Sequence, residues 1–136
     1  MIKDPVVIAQ RSAEWAAVRT LCANASRGHV LPGTYFTSSA PEGFLNLPFV
    51  LAFAVLDQVL ADLVDQGTFL CKGTRPLLGV KMAASEHVLP WKDYTLVEAG
   101  KNARNDMAHR AILLSDKECL SCIEAIVVEL KAWGVF

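Results

Sequence analysis

The sequence has no excess of charge of either sign, because thirteen Lys and Arg residues stand against fourteen Asp and Glu residues. A basic field over the whole surface is therefore excluded, and any nucleic-acid site has to be a local patch. Apolar residues make up 53% of the 136 residues. This fraction excludes a disordered chain and is enough to build a core in a domain of this length. We expect a single domain over residues 1–136.

The sequence also lacks an apolar run long enough to suggest a membrane helix. The longest run, from Leu47 to Leu56, has ten residues and ends at Asp57, whereas a spanning helix needs about 20. It therefore predicts a buried core helix. The apolar stretch from Val6 to Ala9 is too short for a signal peptide. We expect a cytoplasmic protein without a membrane partner.

Metal and redox motifs are scarce. The four cysteines are Cys22, Cys71, Cys119 and Cys122. They do not form a disulfide framework in a chain of this length. Ser115 and Glu118 match a helix capping box, which places Cys119 about one turn inside a helix. A redox CxxC normally begins its helix. Neither a second CxxC nor an HxxxH is present for zinc, and P-loop, GxGxxG and HExxH motifs are absent. We expect ordinary thiols, no metal and no cofactor.

Apolar residues recur at helical spacing, and no segment alternates apolar and polar residues as a strand does. Helices are predicted over about 5–26, 47–66, 77–86, 91–110 and 116–133. The fold class is therefore all-α, an up-and-down bundle of four main helices plus a short helix. The second helix, apolar nearly all round in its first half, should be central. Its Asp-containing tail and the Lys and Glu residues of the fifth helix should form solvated faces.

The stretch 28–46 is the least regular part of the chain. Pro and Gly residues interrupt it at Pro32, Gly33, Pro41 and Gly43. Loops of this length without secondary structure are uncommon in compact domains. Three interpretations stay open: a surface loop, a short hairpin around Pro32 and Gly33, or a segment that lies over a partner or a site.

The fourth helix carries small residues on one side and polar residues on the other. Its small and apolar stripe consists of Leu96, Gly100, Ala103 and Met107. Gly100 and Ala103 allow another helix to approach closely. Asn105 and His109 share a face, since they are four positions apart. Arg104 and His109 lie about 140° apart on a helix of 3.6 residues per turn. The long Arg104 side chain must therefore reach round to any site that His109 lines.

The segment RNDMAH, from Arg104 to His109, resembles the Arg-x4-6-His motif of HEPN domains (higher eukaryotes and prokaryotes nucleotide-binding). That family often has a polar residue directly after the Arg, and Asn105 matches it. In the family, the motif lies near the end of the penultimate long helix of an all-α bundle. Here a capped final helix begins at Ser115, six residues past His109. The resemblance is specific at 104–109 and loose over the helices from Leu47 onward.

The resemblance implies a homodimer whose two motifs meet at the interface. Many HEPN proteins are metal-independent ribonucleases that act as toxins or defence effectors, with an antitoxin or a nucleotidyltransferase-like protein as partner. Others do not cleave and instead bind RNA, a nucleotide or a partner protein. One toxin subgroup extends the motif to His-x-Tyr, whereas this chain has Ala111 at that position. Regulation through that tyrosine is therefore not expected.

The chemistry of the motif residues suits RNA cleavage. His109 carries an imidazole, which can take or give a proton. Arg104 offers a fixed cation with paired donors for phosphate oxygens. Asn105 can orient the imidazole or hold a phosphate oxygen. Lys101 and Arg110 raise the local positive charge and are the predicted RNA-binding residues.

Structural interpretations compete with these roles. Arg104 and His109 can serve only to stabilise the helix, because cationic side chains interact favourably with the negative, C-terminal end of the helix dipole. Asp106 can form an ion pair with Arg110, four positions further along. A third interpretation is a helical interaction protein with no RNA affinity. The remaining candidates are expected to be structural, with the histidines at the surface and the tryptophans in the core or an interface: His29, His87, Trp15, Trp91 and Trp133.

Overall fold

The computed structural model describes the backbone of residues 1–31, 34–39 and 42–136, and the side chains of 1–25 and 42–136. The described chain has five helices, as predicted. They are α1 (Pro5–Ala23), α2 (Asn46–Asp65), α3 (Leu78–Ser85), α4 (Tyr94–Arg110) and α5 (Asp116–Ala132). Two strands, β1 (Ser26–Leu31) and β2 (Thr34–Ser39), lie between α1 and α2.

The central position predicted for α2 is confirmed. Ten of its residues are buried, and it packs against α1, α3 and α5. Phe49 and Phe53 stack edge to face at its centre, with ring centroids 5.1 Å apart. Among the described residues α2 alone is long and apolar enough to cross a bilayer, although half of its apolar window is buried inside the protein. The core helix of a soluble protein has the same composition, so this is weak evidence for a membrane span.

The stretch 28–46 contains the hairpin that was one of the three interpretations. β1 and β2 pair antiparallel, from Ser26 opposite Ser39 to Leu31 opposite Thr34. The predicted centre of the turn, Pro32 and Gly33, lies outside the described residues. Because the chain enters β1 at Ser26, α1 ends three residues earlier than predicted.

The capping box predicted for the last helix is present. The Glu118 amide donates to Ser115 Oγ at 3.2 Å, and the Ser115 amide donates to Glu118 Oε2 at 3.0 Å. Cys119 therefore lies inside α5 and is buried. The predicted tryptophan anchors are also confirmed. Trp15 and Trp133 are buried, and Trp91 packs edge to face on Trp133 with centroids 4.6 Å apart.

The prediction that all acidic residues of α5 and of the α2 tail form solvated faces is wrong at two positions. Glu129 is fully buried, and its carboxylate accepts hydrogen bonds from the backbone amides of Lys92 and Asp93. Asp62 forms an ion pair with buried Arg11 at 2.6 Å. Both carboxylates tolerate burial because charge-assisted hydrogen bonds replace their hydration.

Candidate functional site

The helix that carries the predicted motif, α4, is fixed at its start by α5. Asp93 caps it by accepting from the Leu96 amide at 3.1 Å. Glu129 holds the residues just before the helix by accepting from the Lys92 amide at 2.8 Å and the Asp93 amide at 2.6 Å. A buried carboxylate at the positive end of a helix is favourable. The first turn of α4 therefore has a defined position relative to α5.

The middle of α4 packs closely on its neighbours, as the small residues predicted. Gly100 is buried, and a Cβ added there would lie 2.9 Å from both Cys122 Sγ and Phe53 Cζ. Real Cβ atoms do not show such contacts, so only glycine allows this approach. Gly100 also borders an open groove of about 560 Å³ between α4 and α5, which Leu96 and Ala103 of the same stripe line.

The end of α4 is fixed by buried Asn46 at the start of α2. Ala111 ends the helix in the left-handed conformation, with φ of 52°. Three residues later, Leu114 donates its amide to Asn46 Oδ1 at 3.0 Å and accepts from Asn46 Nδ2 at 2.9 Å. Asn46 Nδ2 also donates to the Gly43 carbonyl at 2.9 Å. The connection after the motif is therefore tied to the central helix.

Four of the five predicted site residues line one cavity of about 520 Å³ between α2, α3 and α4. They are Lys101, Arg104, Asn105 and His109. Asp57 of α2 and the chain from Pro76 to Val80 complete its lining. The fifth predicted residue, Arg110, is exposed and does not line this cavity.

The Arg104 side chain lies against the core. Its guanidinium carbon lies 5.9 Å from the centroid of the Phe53 ring, within reach of a cation–π attraction. Its Nη2 donates a long hydrogen bond of 3.4 Å to Asn105 Oδ1. A guanidinium carries five N–H donors, and this is the only one that is bonded to a described residue.

The Lys101 side chain packs against α3 at Gly79, which has no side chain. A Cβ added to Gly79 would lie 3.1 Å from Lys101 Nζ. The residue before α3, Leu77, offers no side-chain cap to the first amides of the helix. This positive helix end borders the cavity, so its dipole adds to the charge of Lys101 and Arg104.

Lys101, Arg104 and Arg110 form no ion pair within the described part of the chain. The ion pairs there are Arg11–Glu14, Arg11–Asp62 and Lys81–Asp57. The pair between Asp106 and Arg110, which the sequence left open, is therefore not formed. His109 is exposed in the last turn of α4. No hydrogen bond joins its imidazole to another described residue.

The cysteines are free thiols, as predicted. Burial raises the pKa of Cys119 to about 11, and nearby Asp116 adds to the shift. Burial also raises the pKa of Cys122. Thiols with raised pKa values are poor nucleophiles. No group of three His, Cys, Asp or Glu side chains within the described residues is arranged to hold a metal ion.

Two features of the cavity were not predicted from the sequence. Asp57 and the first turn of α3 lie against the motif only because α2, α3 and α4 pack together. The sequence signal at Asp57 was its position as the first charged residue after the longest apolar run. His87 is exposed as predicted, whereas the side chain of His29 lies outside the described residues.

No protein-family model, curated protein or solved structure matches this chain.

Proposed function

We propose that this protein acts on RNA as a HEPN-type, metal-independent ribonuclease of the toxin or defence class, working as a homodimer. The observation that carries the proposal is the shared cavity of Lys101, Arg104, Asn105 and His109. Two cations, an amide and an imidazole along one cavity are the groups that a phosphodiester and its adjacent hydroxyl require. Neither Lys101 nor Arg104 forms an ion pair with a described residue, which supports the same proposal.

In the proposed reaction the ribose 2'-oxygen attacks the adjacent phosphorus. A base takes the 2'-hydroxyl proton, the bond from phosphorus to the 5'-oxygen breaks, and an acid protonates that leaving oxygen. The products are a 2',3'-cyclic phosphate and a 5'-hydroxyl. Arg104 and Lys101 stabilise the charge that develops on the phosphorus oxygens. His109 supplies one of the two proton-transfer groups.

The need for two proton-transfer groups is the physical reason for proposing a homodimer. Each chain contributes one imidazole from the motif, so a site between two chains contains both. The exposed face of α2 supports this arrangement. Leu47 is 60% exposed and Val50 43% exposed, and Ala54 continues their stripe. Asp57, one turn further along α2, already lines the cavity.

The proposal is tested by RNA cleavage with the purified protein in EDTA. We expect wild type to cleave, whereas Arg104→Ala and His109→Ala each lose at least about 100-fold in rate. His87→Ala and Arg19→Ala, at exposed histidine and arginine positions elsewhere, serve as matched controls and keep full activity. Induced expression in cells gives a second readout. Wild type arrests growth and degrades RNA, and the two motif variants are harmless at equal abundance.

Loss of cleavage in EDTA, or full cleavage by His109→Ala, would contradict the mechanism. A second candidate is a non-catalytic module that binds RNA or a nucleotide. The exposed imidazole of His109 favours it, because no described side chain orients that ring. In this case wild type binds RNA at low salt in an Arg104-dependent way, and neither wild type nor any variant cleaves. A helical interaction protein without RNA function predicts no such binding.

A further inference from the structure

A carboxylate lines a cavity that is otherwise suited to anions. Asp57 shares the cavity with Lys101, Arg104 and His109. A carboxylate repels a phosphate at close range, so its presence there lowers the affinity for any phosphate unless it binds a donor on the same ligand. The orientation of the carboxylate indicates which of its oxygens is available.

The two oxygens of Asp57 have different surroundings. Oδ1 is shielded from solvent and lies 2.6 Å from the ammonium of Lys81, as an ion pair without the alignment of a hydrogen bond. The Lys81 side chain is 7% exposed, whereas the Asp57 side chain is 40% exposed. Because Oδ1 is covered, Oδ2 accounts for the exposed acceptor. No described residue donates a hydrogen bond to it.

Lys81 also determines the side from which the carboxylate is held. Lys81 and Asp57 together border a neighbouring cavity that Thr74 and Arg75 line, and Lys81 does not line the cavity of the motif. The ion pair therefore holds the carboxylate at the border of the two cavities, and it leaves Oδ2 as the accessible acceptor of a residue that lines the same cavity as Lys101 and Arg104.

We infer that Asp57 Oδ2 accepts a hydrogen bond from the ribose 2'-hydroxyl of the nucleotide whose phosphate lies against Arg104 and Lys101. This inference rests on the proposed action on RNA and deepens it. A 2'-hydroxyl is the donor that distinguishes RNA from DNA next to every phosphate. This carboxylate makes the site selective for ribose. DNA has no 2'-hydroxyl to donate to Oδ2, so with DNA only the repulsion between the carboxylate and the phosphate remains.

The test measures binding in the His109→Ala protein, so that cleavage does not interfere, with EDTA and low salt. The probes are three uridine dodecamers, with ribose, 2'-deoxyribose or 2'-O-methylribose, and fluorescence anisotropy gives their dissociation constants. We expect Asp57 to produce about a tenfold preference for ribose over both modified sugars. The 2'-O-methyl probe keeps the oxygen and removes only the donor. Adding Asp57→Ala removes the acceptor and with it the preference.

A charge control separates the hydrogen bond from electrostatics. Asp57→Ala removes a negative charge together with the acceptor, and the lost charge acts alike on all three probes, so the ratio of affinities is the informative quantity. Asp106→Ala removes a charge from an exposed position of α4 and leaves the ratio at its original value. Because Asp57→Ala leaves the buried Lys81 ammonium without a charged partner, the double variant Asp57→Ala with Lys81→Met repeats the measurement without that ammonium.

The outcomes separate this inference from the proposed function. Arg104-dependent binding with the same ribose preference in the presence and absence of the Asp57 carboxylate overturns the role of Asp57 alone. Equal affinity of the starting protein for all three probes overturns it as well. Failure to bind any probe at low salt overturns both the inference and the action on RNA.

Discussion

At the scale of single residues, the buried thiol of Cys119 makes the free energy of unfolding depend on pH in the alkaline range. Burial raises the pKa of Cys119 to about 11 from an ordinary value of 9.0. Between these values the unfolded chain releases the thiol proton and the folded chain keeps it. The free energy of unfolding therefore falls as the pH rises through this window.

We expect Cys119→Ala to remove this part of the pH dependence. The measurement is urea unfolding followed by circular dichroism at intervals from pH 8 to pH 10.5, for wild type and Cys119→Ala. Ser121→Ala, at an exposed position of the same helix, is the control, because it removes no titrating group in this range and keeps the slope of wild type. Identical slopes for all three proteins would show that the thiol is not shielded in the folded state.

The residues of the site differ in how far the sequence predicts them. Asn105 and His109 are four positions apart on one helix, so their spacing alone predicts a shared face, whereas Arg104 has to reach that face from about 140° away. Asp57 belongs to another helix, and its approach depends on how α2 packs beside α4. Glu129 was interpreted as solvated because charged residues are usually exposed. Its partners lie 36 and 37 positions earlier in the chain, a distance at which side-chain periodicity carries no information.

At the scale of elements, the start of α4 depends on α5 as well as on its own residues. The sequence predicts this helix from about Trp91, and the structure begins it at Tyr94. Asp93 supplies the cap, and the carboxylate of Glu129 binds the amides of Lys92 and Asp93 outside the helix. Local sequence signals therefore predict that a helix begins in this region, whereas the tertiary contact with Glu129 determines the residue at which it begins.

We expect Glu129→Gln to lower the free energy of unfolding by about 2 kcal/mol. The substitution keeps the size of the side chain but removes the charge from buried hydrogen bonds, which are worth about 1.5–3 kcal/mol when charged. The amide nitrogen can also face a backbone donor. Urea unfolding at pH 7 measures the change. Glu124→Gln, exposed on the same helix, should change stability by less than about 0.5 kcal/mol. Equal effects of the two substitutions would mean that Glu129 does not anchor α4.

The ends of α1 and α5 show which helix boundaries can be predicted from residues that are close in sequence. The capping box of Ser115 and Glu118 involves residues three positions apart, and its prediction is confirmed. The end of α1 was predicted too late, because the signal that ends the helix is the pairing of β1 with β2. Residues of one strand meet partners up to thirteen positions away, as Ser26 meets Ser39. The apolar pattern within one segment carries no information about which strand it pairs with.

At the scale of the whole molecule, the helical bundle follows from the apolar pattern, whereas the way two chains would meet does not. The apolar stripe of α2 was interpreted as uniformly buried core, since the first half of this helix is apolar nearly all round. In the structure one side of it reaches the surface, where Leu47 is 60% exposed and Val50 43% exposed. This exposed side is the contact surface that we assign to the proposed homodimer, since contiguous exposed apolar patches are typical of association surfaces.

We expect the double variant Leu47→Glu with Val50→Glu to separate the proposed homodimer. Light scattering after size exclusion should give a mass near twice 14.8 kDa for wild type and near 14.8 kDa for the variant. Two carboxylates per chain at a contact of this kind repel their symmetry mates, while both positions are open enough to leave the monomer folded. Circular dichroism checks the fold. Leu70→Glu, at a leucine that is 91% exposed elsewhere, is the matched control and stays dimeric.

The same variant links association to chemistry. If the second proton-transfer group comes from the partner chain, loss of the dimer lowers the rate of RNA cleavage by at least about 100-fold. Dilution of wild type below its dissociation constant should lower the specific activity in parallel. A wild-type monomer that cleaves RNA at a concentration-independent specific rate would contradict the two-chain site. In that case, both proton transfers would have to take place within the single cavity of Asp57, Arg104 and His109.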